Sequence, residues 1–255
     1  FINVSYNILN ADNTPGPVSV LRRLAGTDDW TTLNNDLAPT SSFYRDLTAT
    51  TASNTYDYRV DVVNACSRTI STDIHTTILL RNVGGDNAKS ILTDLAWSVY
   101  KGWPVSGYDV LRQMDKETDF SLYRGGLQQT LLREENGKDG FRQCYRIAAN
   151  QADGNLQSLS NIVCVEFENA PEFYNLITAN NDGKNDAFEI DNLQLYPENE
   201  LRIMNRWGKE IKRIANYNPQ ALWAPTDLPT GTYYYQITIK GERANTYKGW
   251  FTVAR

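Results

Sequence analysis

The chain has 255 residues, 41% of them hydrophobic and 22% charged, an ordinary globular composition that excludes disorder and collagen-like repeats. At about 150 residues per domain its length suggests one or two domains. A formal net charge of -5 offers no field to attract nucleic acid or an anionic lipid surface, and no run approaches the roughly 18 apolar residues of a membrane helix.

Fifteen Tyr, eight Phe and six Trp stand against two Met, three Cys and one His, and residues 1–88 contain no Lys and 1–116 no Glu. Aromatic residues mixed with Thr, Asn and Asp favour strands joined by turns, and strong helix formers are missing from the first part. Phe1 opens the chain with no Met, basic segment or apolar stretch, so these residues are read as the end of a longer protein.

An internal repeat organises the first two thirds. Ser19-Val20-Leu21-Arg22-Arg23 matches Asp109-Val110-Leu111-Arg112-Gln113 at an offset of 90, with Trp30 against Phe120 at the same offset. Tyr58-Arg59-Val60 matches Tyr145-Arg146-Ile147 at offset 87, and Thr72-Asp73-Ile74 matches Ser160-Asn161-Ile162 at offset 88. Each unit consists of short alternating segments separated by turn clusters such as Asn10 to Pro17 and Asn34 to Thr40. In Tyr56-Asp57-Tyr58-Arg59-Val60-Asp61-Val62 every second side chain is apolar, which on a period of two gives one buried and one wet face. With Trp97 in Leu95-Ala96-Trp97, the unit resembles a fibronectin type III or related immunoglobulin-like domain, whose core holds such a strand and such a Trp.

His75, the lone imidazole, lies on a strand of the first repeat and is read as structural. No Gly-x-Ser-x-Gly elbow, phosphate loop or metal-ligand cluster occurs, so no catalytic residue is assigned and the chain is read as no enzyme. Cys144 and Cys164 each lie ten residues from Gly154 in Asp153-Gly154-Asn155, so a hairpin folded there puts them opposite one another. A disulfide is expected, worth roughly 3 kcal/mol for a loop of this length, with the oxidising, extracytoplasmic location it implies. Cys66 is left over and is expected to be a small buried side chain.

After Glu168 the repeat stops, and the third segment carries 10 Lys plus Arg against 10 Asp plus Glu. Leu201 and Ile203 lead through Asn205-Arg206-Trp207-Gly208 to Ile211, a tight hairpin with Gly208 where a positive φ is needed. Tyr233, Tyr235, Ile237 and Ile239 share one face of a strand that begins after Leu228-Pro229-Thr230-Gly231. The last strand runs from Tyr247 to Val253.

These residues match a specific pattern. Ile177-Thr178-Ala179-Asn180-Asn181-Asp182-Gly183-Lys184-Asn185-Asp186, then Asn205-Arg206-Trp207-Gly208, then Trp223, Leu228 to Tyr235 and Tyr247-Lys248-Gly249 follow the order and spacing of the gliding-motility-associated C-terminal domain. Residues 169–255 thus resemble the type B sorting signal of type IX secretion cargo. Ile177, Ala179 and Asn181 replace the family's Phe, Pro and first Gly, and Ala224-Pro225 replaces an Asp-Gly. Asn tolerates a positive φ, so the turn at Asn181 is expected to survive.

The resemblance implies a secreted, cell-surface protein whose C-terminal domain is recognised without catalysis by the outer-membrane export and attachment machinery, including a PorP/SprF-like partner. Candidate contact residues are Asn180, Asp182, Gly183, Asn185, Asp186, Asn205, Arg206, Trp207, Gly208, Trp223, Gly231, Tyr233, Tyr235, Tyr247, Lys248 and Gly249. Trp207 is expected to fold back on its own sandwich with Arg206 stacked on it, the alternative being an exposed recognition knob. Exposed aromatics at Tyr233 to Tyr235 and an edge strand from Tyr247 to Val253 are rival docking surfaces.

The loop from Asn180 to Asp186 offers hard oxygen ligands, and Asp182 and Asp186 are the candidates for calcium. Lys184 stands where a ligand is wanted and no bidentate Glu follows, so Asx-turns that cap the loop's own amides are favoured and no cofactor is assigned. The alternative function is a carbohydrate-binding module of an adhesin or polysaccharide-degrading enzyme, carried by Trp97, Trp103 or Trp207. The fold expected is all-β: three consecutive immunoglobulin-like or fibronectin-like sandwiches in a rod, at residues 1–80, 81–168 and 169–255.

Overall fold

The computed structural model describes residues 1–8, 16–85 and 87–254, and within them the alternating segments are strands. Most of the turn cluster from Asn10 to Pro17 lies outside the described residues. Among the described residues two single-turn 3₁₀ helices, Gly137–Asp139 and Leu193–Leu195, stand beside the strands. The chain divides into two units, Phe1–Phe167 and Glu168–Arg255.

The first unit opens with β1 (Ile2–Ser5), β2 (Val18–Leu24), β3 (Thr31–Leu37), β4 (Phe43–Asp46), β5 (Tyr56–Val63), β6 (Thr69–Ser71) and β7 (His75–Thr76). β1 pairs with β4, while β3, β2, β5 and β6 form a second sheet in that order with β7 also on β5. Val18, Val20, Tyr56, Tyr58 and Val60 form a core with Ile2, Val4 and Tyr44 packed against it, so both sheets contribute.

The same plan follows in β8 (Leu80–Asn82), β9 (Thr93–Trp97), β10 (Val105–Met114), β11 (Ser121–Leu127), β12 (Leu131–Glu134), β13 (Arg142–Gln151), β14 (Gln157–Leu159) and β15 (Val163–Glu166). β12, β9 and β8 make one sheet, and β11, β10, β13 and β14 the other, with β15 also on β13. Two facing antiparallel sheets with these connections are the immunoglobulin and fibronectin sandwich. Trp97 packs edge-on to Tyr108 at 5.9 Å inside a core that includes Leu95, Val110, Tyr145 and Ile147.

The internal repeat reaches down to single hydrogen bonds. Register shifts fall between Val18, Val20 and Leu21 in the first sandwich and between Tyr108, Val110 and Leu111 in the second. The Val60 amide donates to Thr72 Oγ1 at 3.1 Å, and the Ile147 amide donates to Ser160 Oγ at 2.9 Å. The buried tyrosine of the repeat keeps its place but changes partners. Tyr58 donates to Asp46 at 2.7 Å, beside Arg22 at 2.6 Å from the same carboxylate, whereas Tyr145 donates to Gln143 at 2.7 Å.

The expected junction at 80/81 falls inside β8, and Ile78 and Leu80 already belong to the second core. The two sandwiches touch where β7 ends. The Thr76 amide donates to the Lys101 carbonyl at 2.8 Å, and His75 Nδ1 lies 2.5 Å from the Tyr100 hydroxyl with Trp103 alongside.

Cys144 and Cys164 are register partners on β13 and β15 and form a disulfide, with their Cα atoms 3.9 Å apart. Cys66 corrects the expectation of burial, because it is exposed. Asn64 Oδ1 accepts from the amides of Cys66 and Arg68, each at 3.0 Å, and so holds the tight turn from β5 to β6 that carries this thiol at the surface.

The second unit contains β16 (Glu172–Phe173), β17 (Leu176–Thr178), β18 (Ile190–Asp191), β19 (Asn199–Met204), β20 (Glu210–Ala215), β21 (Gly231–Ile239) and β22 (Asn245–Ala254). β17, β22, β21, β19 and β20 form a five-stranded sheet in that order, and β16 pairs with β18. Leu201, Ile203, Ile237, Phe251 and Val253 bury one face, together with Phe188, Leu193 and Tyr217 from the connections. Asn199, itself buried, ties these connections down: its Nδ2 donates to the carbonyls of Tyr196 and Tyr217 at 2.8 and 2.9 Å, and its Oδ1 accepts from the Tyr217 amide.

Candidate functional site

The sequence candidates divide into a loop, a turn and a set of core residues. In the loop, Asn181, Gly183 and Asn185 have φ of 64°, 84° and 51°, so Asn181 takes the left-handed conformation expected of it. The Asp186 carboxylate accepts the amides of Asn181 at 2.6 Å and Gly183 at 2.7 Å, and Asp182 Oδ1 accepts that of Lys184 at 2.9 Å. Asn180 Oδ1 accepts the Asp182 amide at 3.3 Å. Asn180 and Asp182 thus form Asx-turns, each accepting the amide two residues on, whereas the Asp186 carboxylate caps two amides that precede it. Among the described residues no group of three His, Cys, Asp or Glu side chains is placed to hold a metal ion.

The turn between β19 and β20 is built on Asn205, whose Oδ1 accepts the amides of Trp207 and Lys209, each at 3.0 Å. Gly208 has φ of 79°, the left-handed conformation foreseen for it. Arg206 stacks over the Trp207 ring at 4.4 Å, but the ring itself is 76% exposed. The expectation that Trp207 folds back onto the sandwich is thus corrected: the turn is short and projects past the last β19 pair, Met204 with Tyr234, leaving no core within reach.

Tyr233 and Tyr235 are buried, which corrects their reading as an exposed docking surface. Alternation turns both to the core and leaves Tyr234 outside at 44% exposure. Tyr233 donates to the Pro229 carbonyl at 2.9 Å, and Tyr235 stacks on Phe173 with centroids 4.9 Å apart. Trp223 packs edge-on to Phe251 at 6.4 Å, and Tyr247 lies beside Phe173 at 5.6 Å. Gly231 opens β21 opposite Val253, and Gly249 sits opposite Tyr235 where a side chain would collide with its ring. These residues build the domain. Lys248 is exposed.

β22 is no free edge over its last residues, because β17 pairs in parallel with Thr252 to Ala254 on the side away from β21. The outer strands of the sheet are β17 and β20, neither of which the sequence singled out as an edge. Register places the Asn180–Asp186 loop, which follows Thr178, and the Asn205–Gly208 turn at the same end of the sheet. Three strand spacings, about 14 Å, separate them.

Sequence reasoning missed one feature. Met204, Tyr234 and Trp250 are successive register partners across β19, β21 and β22, on the face away from the core. Alternation alone puts Tyr234 and Trp250 outside, but their meeting depends on a register that only pairing reveals. On the same face Arg202 holds Glu200 below the ordinary glutamate range from 2.7 Å, and Arg213 does the same to Glu210 from 2.8 Å.

For the sugar-binding alternative, Trp97 is 5% exposed and Trp103 packs against the second core, so neither offers a platform. Among the described residues no helix is long and apolar enough to cross a membrane.

Residues 171–253 match the CHU_C type IX secretion signal domain. This stretch lies within the second unit and marks the protein as secreted by way of the type IX machinery. No curated protein matches the chain. Among solved structures, a tetra-tandem repeat in the extending region of a large adhesion protein is similar over 99% of this chain and 73% of that one, at 9% identity and a TM-score of 0.35. The FN1–FN3 domains of chicken CNTN1 are similar over 96% of this chain and 93% of that one, at 9% identity and a TM-score of 0.27.

Proposed function

We propose that residues 169–255 are a folded sorting signal of type B, recognised without catalysis by outer-membrane components of type IX secretion, a PorP/SprF-like protein among them, and that the protein ends attached to the cell surface. The two sandwiches before it act as spacer modules, with three domains in all and the first junction close to residue 77. The single observation that carries this reading is the match over residues 171–253, which falls inside one separately packed unit. A unit with its own sheet and its own core can be read as a shape, as recognition after folding requires. Its exposed Asn205–Gly208 turn has the Trp and Arg that anchor many interfaces.

The test is a periplasmic reporter fused ahead of the full chain, or ahead of residues 169–255, in cells with an intact type IX system. Reporter is expected in the medium or on the cell surface. Retention in the periplasm while native cargo leaves the cell would overturn the sorting role.

A further inference from the structure

We propose that the outward face of the five-stranded sheet is the docking surface of this domain, and that its occupant is a folded protein of the export apparatus presenting an apolar projection flanked by carboxylates. This rests on the sorting role proposed above. The centre of the surface is the row Met204, Tyr234 and Trp250, with Tyr234 and Trp250 44% and 48% exposed. Met204, Tyr234, Lys248, Gly249 and Trp250 line a shallow concavity of about 370 Å³ whose walls are almost wholly apolar. Trp207, at the turn that follows Met204, adds a further exposed ring at that end of the sheet.

Two aromatic rings side by side in water add nothing to the core and favour association. Charge selects the partner. Glu200 and Glu210 are taken up by Arg202 and Arg213 in a small network of ion pairs. Arg206, Lys209 and Lys248 have no carboxylate in ion-pair reach among the described residues. The uncompensated charge around the apolar row is therefore positive, and complementarity calls for carboxylates on the other side.

A protein fits this site better than a lipid surface. A concavity between strands receives a projecting side chain, which a plane of headgroups does not supply. Strand addition at β20 is disfavoured because Glu210, Lys212 and Arg213 stand exposed along that edge.

The reporter fused to the full chain tests this with two double variants, Tyr234→Thr with Trp250→Thr, and Lys209→Glu with Lys248→Glu. All four side chains are exposed, so the melting temperature should stay at the wild-type value; if the aromatic pair lowers it, the charge reversal carries the test. Export of the wild-type fusion with at least a tenfold loss in the variants supports the proposal. Wild-type and variant fusions exported alike would remove this face while leaving the sorting role standing. A wild-type fusion that stays in the periplasm would overturn both. Purified chain that sediments with phosphatidylglycerol vesicles, and loses this with Trp250→Thr, would replace the protein partner by lipid and overturn the proposal.

Discussion

Gly249 lies directly across from Tyr235, and a Cβ on it would fall 2.7 Å from Cε1 of that ring. The ring cannot retreat, because Phe173 stacks on it at 4.9 Å and Phe188 lies 5.2 Å away. Gly249→Ala is therefore expected to cost about 1–3 kcal/mol through overpacking. Urea denaturation followed by tryptophan fluorescence measures it. In a Tyr235→Leu background the added methyl should cost less than about 0.5 kcal/mol, because the atoms it strikes are gone. Equal costs in both backgrounds would mean that the glycine serves the backbone instead.

The bond between Cys144 and Cys164 closes a loop of sequence separation 20, joining two strands already in register. Replacing both with Ala should destabilise the first unit by about 3 kcal/mol. Alkylation of the unreduced protein should label Cys66 alone, since that thiol is exposed. Labelling of Cys144 or Cys164 before reduction would contradict the pairing.

His75 sits at the contact between the two sandwiches, and burial lowers its pKa against a smaller opposing pull from Asp73. The charged groups on the facing segment include Lys101, whose carbonyl accepts from Thr76. With a folded-state pKa below the unfolded value of about 6.5, the unfolded chain takes up the proton first. Stability is thus full above pH 6.5 and falls as the pH drops toward the folded pKa. The protonated ring carries a hydrogen on both nitrogens, so Nδ1 can then only donate to the Tyr100 oxygen 2.5 Å away. Denaturation at pH 7.5 and pH 5 should show a loss in the wild type that His75→Gln reduces; an unchanged loss would assign it to other groups.

Legibility in the sequence followed the range of the interaction. Strands with alternating faces, the repeat and the cysteine pair depend on neighbours along the chain or on one hairpin symmetric about Gly154, and local pattern suffices for them. Trp207 and Cys66 were misplaced because both sit in turns, where no periodicity tells a ring or thiol which way to face. Tyr233 and Tyr235 were placed on one strand face with Ile237 and Ile239 and also offered as a docking surface, and the apolar company on that face should have excluded the second. The meeting of Tyr234 with Trp250 could not be read, since shifting β22 by one residue would bury Trp250 and expose Phe251.

The loop from Asn180 to Asp186 gives the last prediction, on calcium. Both Asp186 oxygens already accept amide protons, from Asn181 at 2.6 Å and Gly183 at 2.7 Å, and an Asp182 oxygen accepts from Lys184. A cation would have to compete with these bonds while Lys184 stands among the ligands. Chelator and added calcium should therefore leave the melting temperature unchanged. Asp186→Ala, which strands two amides in a left-handed turn, should cost about 1 kcal/mol, and Asp186→Asn less, because the amide oxygen still accepts one of them. A melting temperature that rises with calcium, and loses that rise in Asp186→Asn, would make these carboxylates ligands.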